Sequence, residues 1–172
     1  MFDRHLCKFV FFVAVAATLL GSVTAHAAPK TGQPLPFFNV TTPAGQQVSN
    51  PNYSGRVLLL VFSTDYCNAC KKAIPGIGKL AGRYGKQGFY ALGLFSGFNM
   101  ENDELKKYMN TYGVSYPMAC FEEGLAKDQF GMISVPYSLL VDKKGMVAGV
   151  YYGYSEGIMM KIEEQVKKLL VE

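Results

Sequence analysis

Tryptophan is absent from this 172-residue chain, and histidine is nearly so: the two histidines, His5 and His26, both fall within the first 26 residues. Beyond them no imidazole is available as a general base, a metal ligand or a titrating switch near neutral pH. Cysteine is scarce as well. There are four: Cys7 near the start, then Cys67, Cys70 and Cys120. Structural zinc takes four ligands, and one C-x-x-C pair plus one distant cysteine without histidine falls short, so no metal and no cofactor is expected. No internal repeat, low-complexity run or interdomain linker occurs.

The longest largely apolar stretch near the start is also short. Phe9–Leu20 spans twelve residues, Thr18 aside all apolar, where a bilayer span needs about 20. Arg4 and Lys8 precede it, and Ala25-His26-Ala27 makes a small-x-small cleavage site after it. Residues 1–27 therefore read as a signal peptide, with an uncleaved N-terminal membrane anchor as the alternative. In either case residues 28–172 are exported, to a bacterial periplasm or the extracytoplasmic face of a membrane. Those 145 residues suffice for one domain with its own core. They carry 15 basic and 12 acidic side chains, a net charge of +3. The basic residues come in pairs rather than in a stripe, which speaks against nucleic acid as a partner.

What is present alternates between strand-like and helix-like runs. "PFFNVTTPAGQQVS" reads as two short strands about Pro43-Ala44-Gly45. "RVLLLVFS" and "FYALGLFS" are continuous apolar runs suited to strands buried on both faces. Between them, Asn68 to about Gln87 carries apolar residues at three- and four-residue steps, interrupted by Pro75. Helices are expected over Glu101–Tyr112, Gly124–Phe130 and Ser155–Val171. "YPMACF" reads as a short strand, and "YSLLVD" and "MVAGVYY" as a hairpin about Lys143-Lys144-Gly145. The order implies an α/β fold with a central mixed β-sheet.

The chemistry concentrates in "TDYCNACKK", residues 64–72. Cys67 follows a buried strand and opens a helix, where unpaired N–H groups and the positive end of the macrodipole favour a thiolate. Cys70 stands one turn on, on the same side, within reach of a short disulfide. A four-residue loop removes little chain entropy, so the pair is a weak staple and a better redox couple. Cys67 is expected to attack and Cys70 to resolve. Cys120 reads as a small apolar strand residue with a second redox role as its alternative.

Val135-Pro136, before "YSLLVDKKG", adds a second constellation. With "GQPLPFFNVTTPAGQQVS", "YSGRVLLLVFS", "CNACKKAIPGI" and "YGVSYPM" in this order, the chain resembles the thioredoxin superfamily. More closely it is similar to the exported TlpA/ResA-like thiol–disulfide oxidoreductases. That resemblance implies a thioredoxin-like fold, helices on both faces of the sheet, with a short N-terminal β-hairpin extension. It also implies a redox-active Cys67–Cys70 disulfide, a cis bond before Pro136, and Tyr66, Val135 and Pro136 as substrate-binding residues. The partners it implies are protein thiols and disulfides and a membrane electron donor; the protein is expected to be a monomer. A reductase is expected, with cytochrome c maturation as its client process by analogy.

Three departures stand out. Ser63 and Tyr66 occupy positions where the family commonly has tryptophan, and Ala73 replaces an acidic residue. Val61 stands where thioredoxins proper bury an Asp. Two alternatives are a peroxiredoxin-like peroxidase and a non-enzymatic module that binds protein or metal. Thr64-x-x-Cys67 is similar to part of the peroxiredoxin P-x-x-x-T-x-x-C loop, but Leu60 sits at the proline position.

Overall fold

The computed structural model describes residues 28–97 and 101–172; the export segment expected over 1–27 lies outside them. Two short strands, β1 (Asn39–Thr41) and β2 (Gln47–Ser49), form an antiparallel hairpin. Its turn is the one expected at Pro43-Ala44-Gly45, with Gly45 at φ +81°. A 3-10 turn over Asn50–Tyr53 was not legible in the sequence. It sits behind Ser49, with Asn52 capping back onto the Ser49 N–H at 2.7 Å.

The main sheet has five strands in the order β5-β4-β3-β6-β7. At its centre lies β3 (Val57–Thr64), every residue of which is buried. β3 runs parallel to β4 (Phe89–Ser96), which runs parallel to β5 (Met118–Cys120). On the other side it pairs antiparallel with β6 (Tyr137–Val141), whose hairpin partner is β7 (Val147–Tyr152). The two continuous apolar runs are thus the two central parallel strands. A strand covered on both faces has no polar side to show, which is why neither alternates.

Among the described residues four helices cover the sheet: α1 (Asn68–Tyr84), α2 (Asn102–Tyr112), α3 (Glu123–Phe130) and α4 (Glu156–Val171). Ile74, Ile77 and Leu80 of α1, Leu105 and Tyr108 of α2, and Ile162 and Val166 of α4 pack on one face, against Val57, Leu59 and Val61 of β3. On the other face Leu58, Leu60 and Phe62 meet Ala126 and Phe130 of α3, and Phe38, Val40 and Val48 of the N-terminal hairpin. Alternation along β3 assigns its side chains to the two cores in turn. Helices therefore flank both faces, as the thioredoxin-like reading requires.

Pro75 lies inside α1 on its exposed side. A proline inside a helix leaves one carbonyl without its helical donor, and the ring itself lies on the solvent side. Among the described residues, no helix is long and apolar enough to cross a membrane.

Candidate active site

The parallel central strand delivers its end, Thr64, to the start of α1. The chain turns there, with the Cys67 N–H meeting the Thr64 carbonyl at 3.4 Å. Cys67 is the N-cap residue of α1 and its backbone is extended, at φ −84° and ψ 99°. An N-cap side chain accepts from the first free N–H groups of its helix. Here the acceptor is sulfur: the Cys70 N–H donates to Cys67 Sγ at 3.0 Å. Cys67 and Cys70 are joined as a disulfide, their Cα atoms 5.2 Å apart. The sequence spacing placed both on one side of the helix, and the structure brings them together.

Burial differs little between them. Cys67 is 8% exposed and Cys70 3%, so the first cysteine is the more accessible by a small margin. Lys71 and Lys72 follow, and Lys71 Nζ lies 5.2 Å from the centre of the Tyr112 ring on α2. No acidic residue stands in the first turn of α1. Positive charge and a helix N-terminus together favour a thiolate at Cys67 over one at Cys70.

The Val135–Pro136 peptide bond is cis. The last β3–β6 pair is Phe62 with Tyr137, so Pro136 lies beside the end of β3, next to the turn that carries Cys67. Its carbonyl accepts the Gly153 N–H at 2.8 Å, which fixes the loop to the end of β7. Pro136 is buried and Val135 half-buried. Tyr66 is 68% exposed, directly before the reactive cysteine. Ile133, which the sequence did not single out, is 84% exposed in the loop leading to Val135.

The absent acids stay absent. Val61 and Ala73 are both buried and apolar, on β3 and on the sheet-facing side of α1. Asp65 is exposed, and its Oδ1 accepts the Tyr66 N–H at 2.9 Å. Cys120 is a free, half-buried thiol at the end of β5, paired in register with Phe95. Burial, and then the Glu104 carboxylate, push its pKa up.

The fold and this site agree with known proteins. The model of the AhpC/TSA family matches residues 31–150. The thiol–disulfide oxidoreductase ResA of Bacillus thuringiensis subsp. konkukian is 28% identical over 168 residues, covering 96% of this chain and 94% of that protein. The thioredoxin-like protein YneN of Bacillus subtilis is 24% identical over 122 residues, 71% of each chain. Among solved structures, a thiol:disulfide interchange protein of the thioredoxin family from Chlorobium tepidum TLS superposes with a TM-score of 0.68 at 26% identity, covering 84% of this chain and 99% of its own. StoA from Bacillus subtilis shares the fold, with a TM-score of 0.62 at 21% identity over 80% of this chain and 98% of its own. The chain thus belongs to the AhpC/TSA family, and within it is a ResA-like thiol–disulfide oxidoreductase built on the Cys67–Cys70 pair.

Proposed function

We propose that this oxidoreductase works as a reductase outside the cytoplasm, on disulfides of other proteins. Segment 1–27 would export it or tether it, and a membrane electron donor would return Cys67–Cys70 to the dithiol. The observation that carries the exchange chemistry is the Cys70 N–H held on Cys67 Sγ at the start of α1, while the reductive direction follows the resemblance to the TlpA/ResA-like group. That arrangement stabilises a negative sulfur at Cys67, so Cys67 attacks and leaves readily. In the reductive direction the Cys67 thiolate attacks a client disulfide, one client sulfur departs as a thiolate, and a mixed disulfide forms. Cys70 then attacks Cys67 Sγ, the second client sulfur departs, and two electrons have passed to the client.

Tyr66, Val135 and Pro136 would hold the client beside the disulfide, the free backbone of Val135 pairing with it as an added strand. Cytochrome c maturation is the client process proposed, on the resemblance to the TlpA/ResA-like group, and a monomer suffices for the chemistry.

The test is reduced protein offered insulin, hydrogen peroxide and Cu(I) in separate reactions. Disulfide reduction with little peroxide consumption and no tight copper binding is the expected result. Rapid peroxide consumption would replace the reductase with a peroxidase, and tight copper binding without insulin reduction would replace it with a binding module. Equilibration with glutathione then gives the direction of electron flow.

A further inference from the structure

Two facing stripes of side chains leave a groove between α1 and α4. On α1 the stripe is Lys72, Gly76, Lys79 and Arg83, at steps of four, three and four residues that one helix face presents together. From Lys72 to Arg83 it runs about 16 Å, the span of about five residues of extended chain. The groove holds about 330 Å³. Its floor is apolar. The missing side chain at Gly76 admits Met159 of α4, since a Cβ there would lie 3.1 Å from the Met159 Cε, and buried Leu80 adds to the same floor. Met160 stands on the α4 rim, 66% exposed. Thioethers adapt their shape to varied apolar neighbours, so this lining suits more than one occupant.

The charges on the rims are unequally paired. Glu163 accepts from Arg83 at 2.5 Å and from the Tyr84 hydroxyl at 2.7 Å, which closes the far end. Glu156 stands in the first turn of α4, where a carboxylate faces the positive end of the helix dipole. Lys72 and Lys79 are exposed and, among the described residues, form no ion pair. The α1 rim therefore offers two uncommitted cations along an apolar floor.

Both walls begin at the active site. Lys72 is two residues beyond Cys70 on the same helix. Across the groove, Tyr154 follows Gly153, whose N–H donates to the Pro136 carbonyl at 2.8 Å. A chain that lies on the disulfide has the mouth of the groove next on its path.

We propose that this groove takes the stretch of a client protein that flanks its reactive cysteine, an apolar stretch whose carboxylates meet Lys72 and Lys79. Apolar client side chains enter over Gly76 and Met159, and Met160 folds against them. No bond is made or broken there. The groove selects the client, and a lysine-rich stretch is rejected by the same two cations.

The groove rests on the reductase reading, so reduction of insulin by the wild type is established first. Its absence would remove that reading; insulin reduction without the preferences below would remove the groove alone. The probes are peptides with one central cysteine, held as a mixed disulfide with thionitrobenzoate and flanked on each side by five residues. Leucine alternates there with Glu, Gln or Lys. The reading is the second-order rate of thionitrobenzoate release by reduced protein at low ionic strength. Wild type should take the Glu peptide about threefold faster than the Gln peptide and about tenfold faster than the Lys peptide. Lys79→Glu, an exposed change that spares the core, should bring the Glu-to-Lys preference down to about one. Lys144→Glu alters net charge equally but lies on the β6–β7 turn at the opposite end of the sheet, and should keep the preference within about twofold. Salt at about 1 M should flatten the wild-type preference, and serine in place of leucine should slow the Glu peptide about threefold. An unchanged preference in Lys79→Glu, equal losses in Lys79→Glu and Lys144→Glu, or equal rates for the leucine and serine peptides would each overturn the groove as a client site. Dimers that Lys79→Glu disperses, with no peptide preference, would overturn it in favour of a second copy of the chain.

Discussion

The backbone N–H of Cys70 lies 3.0 Å from the sulfur of Cys67 while the two sulfurs are still bonded to each other. The donor that a Cys67 thiolate needs is thus already in place before the disulfide opens, so reduction requires no rearrangement of the first turn of α1. The neighbouring cysteine supplies a backbone group as well as a thiol.

Alkylation should report this directly. In reduced protein below about pH 7, iodoacetamide should label Cys67 at least about tenfold faster than Cys70 or Cys120. Cys67 has the N-cap position and the Cys70 N–H; Cys120 has burial and Glu104 against it, both raising its pKa. Its thiolate fraction is therefore small until the pH climbs past the usual thiol range. Peptide mapping after a timed pulse gives the order, and early labelling of Cys70 would reverse the roles assigned to the pair.

The roles also separate by substitution. Cys70→Ser should accumulate mixed disulfides with client proteins, because the first attack proceeds and nothing completes it. Cys67→Ser should give none, since Cys70 is the more buried sulfur and has no comparable donor. Non-reducing gels with and without dithiothreitol distinguish the two, and adducts of the Cys67→Ser variant would show that Cys70 can start the reaction.

Gly131 links the start of the described chain to the loop before Pro136. It ends α3 at φ +61°, and a Cβ placed there would come within 2.5 Å of the Ala28 Cα. Gly131→Ala should cost the left-handed penalty of about 1–2 kcal/mol and must also displace the Ala28 backbone. Gly45→Ala, at φ +81° with open space around it, meets the conformational penalty alone. The melting temperature should fall about 5–10 °C for Gly131→Ala and clearly less for Gly45→Ala. Equal falls would mean that Ala28 yields without cost.

Much of this was readable from residue order. The β3 and β4 runs, the Asn68 start of α1 and the Lys143-Lys144-Gly145 hairpin turn all lie where apolar pattern and turn residues put them. Those signals are local and survive in one dimension. The Asn50–Tyr53 turn did not announce itself, because its capping depends on Asn52 folding back to Ser49. Tyr108 was legible as an apolar position at helical spacing. The burial of its hydroxyl without a partner was not, since that depends on how α2 lies over Phe95. The exposure of Ile133 likewise depends on the path of the loop before Val135.

The acid missing at position 73 can be put back. Ala73 is buried on the sheet-facing side of α1, three residues beyond Cys70, so Ala73→Glu brings a carboxylate close to the resolving thiol. It should raise the stopped-flow rate of mixed-disulfide resolution at pH 7 about five- to tenfold and flatten its rise towards pH 9. The buried carboxylate should lower stability by about 1–3 kcal/mol, read from urea denaturation so that folding and rate are kept apart. Indistinguishable pH profiles for wild type and Ala73→Glu, while both proteins remain folded, would mean that proton acceptance does not limit resolution at Cys70.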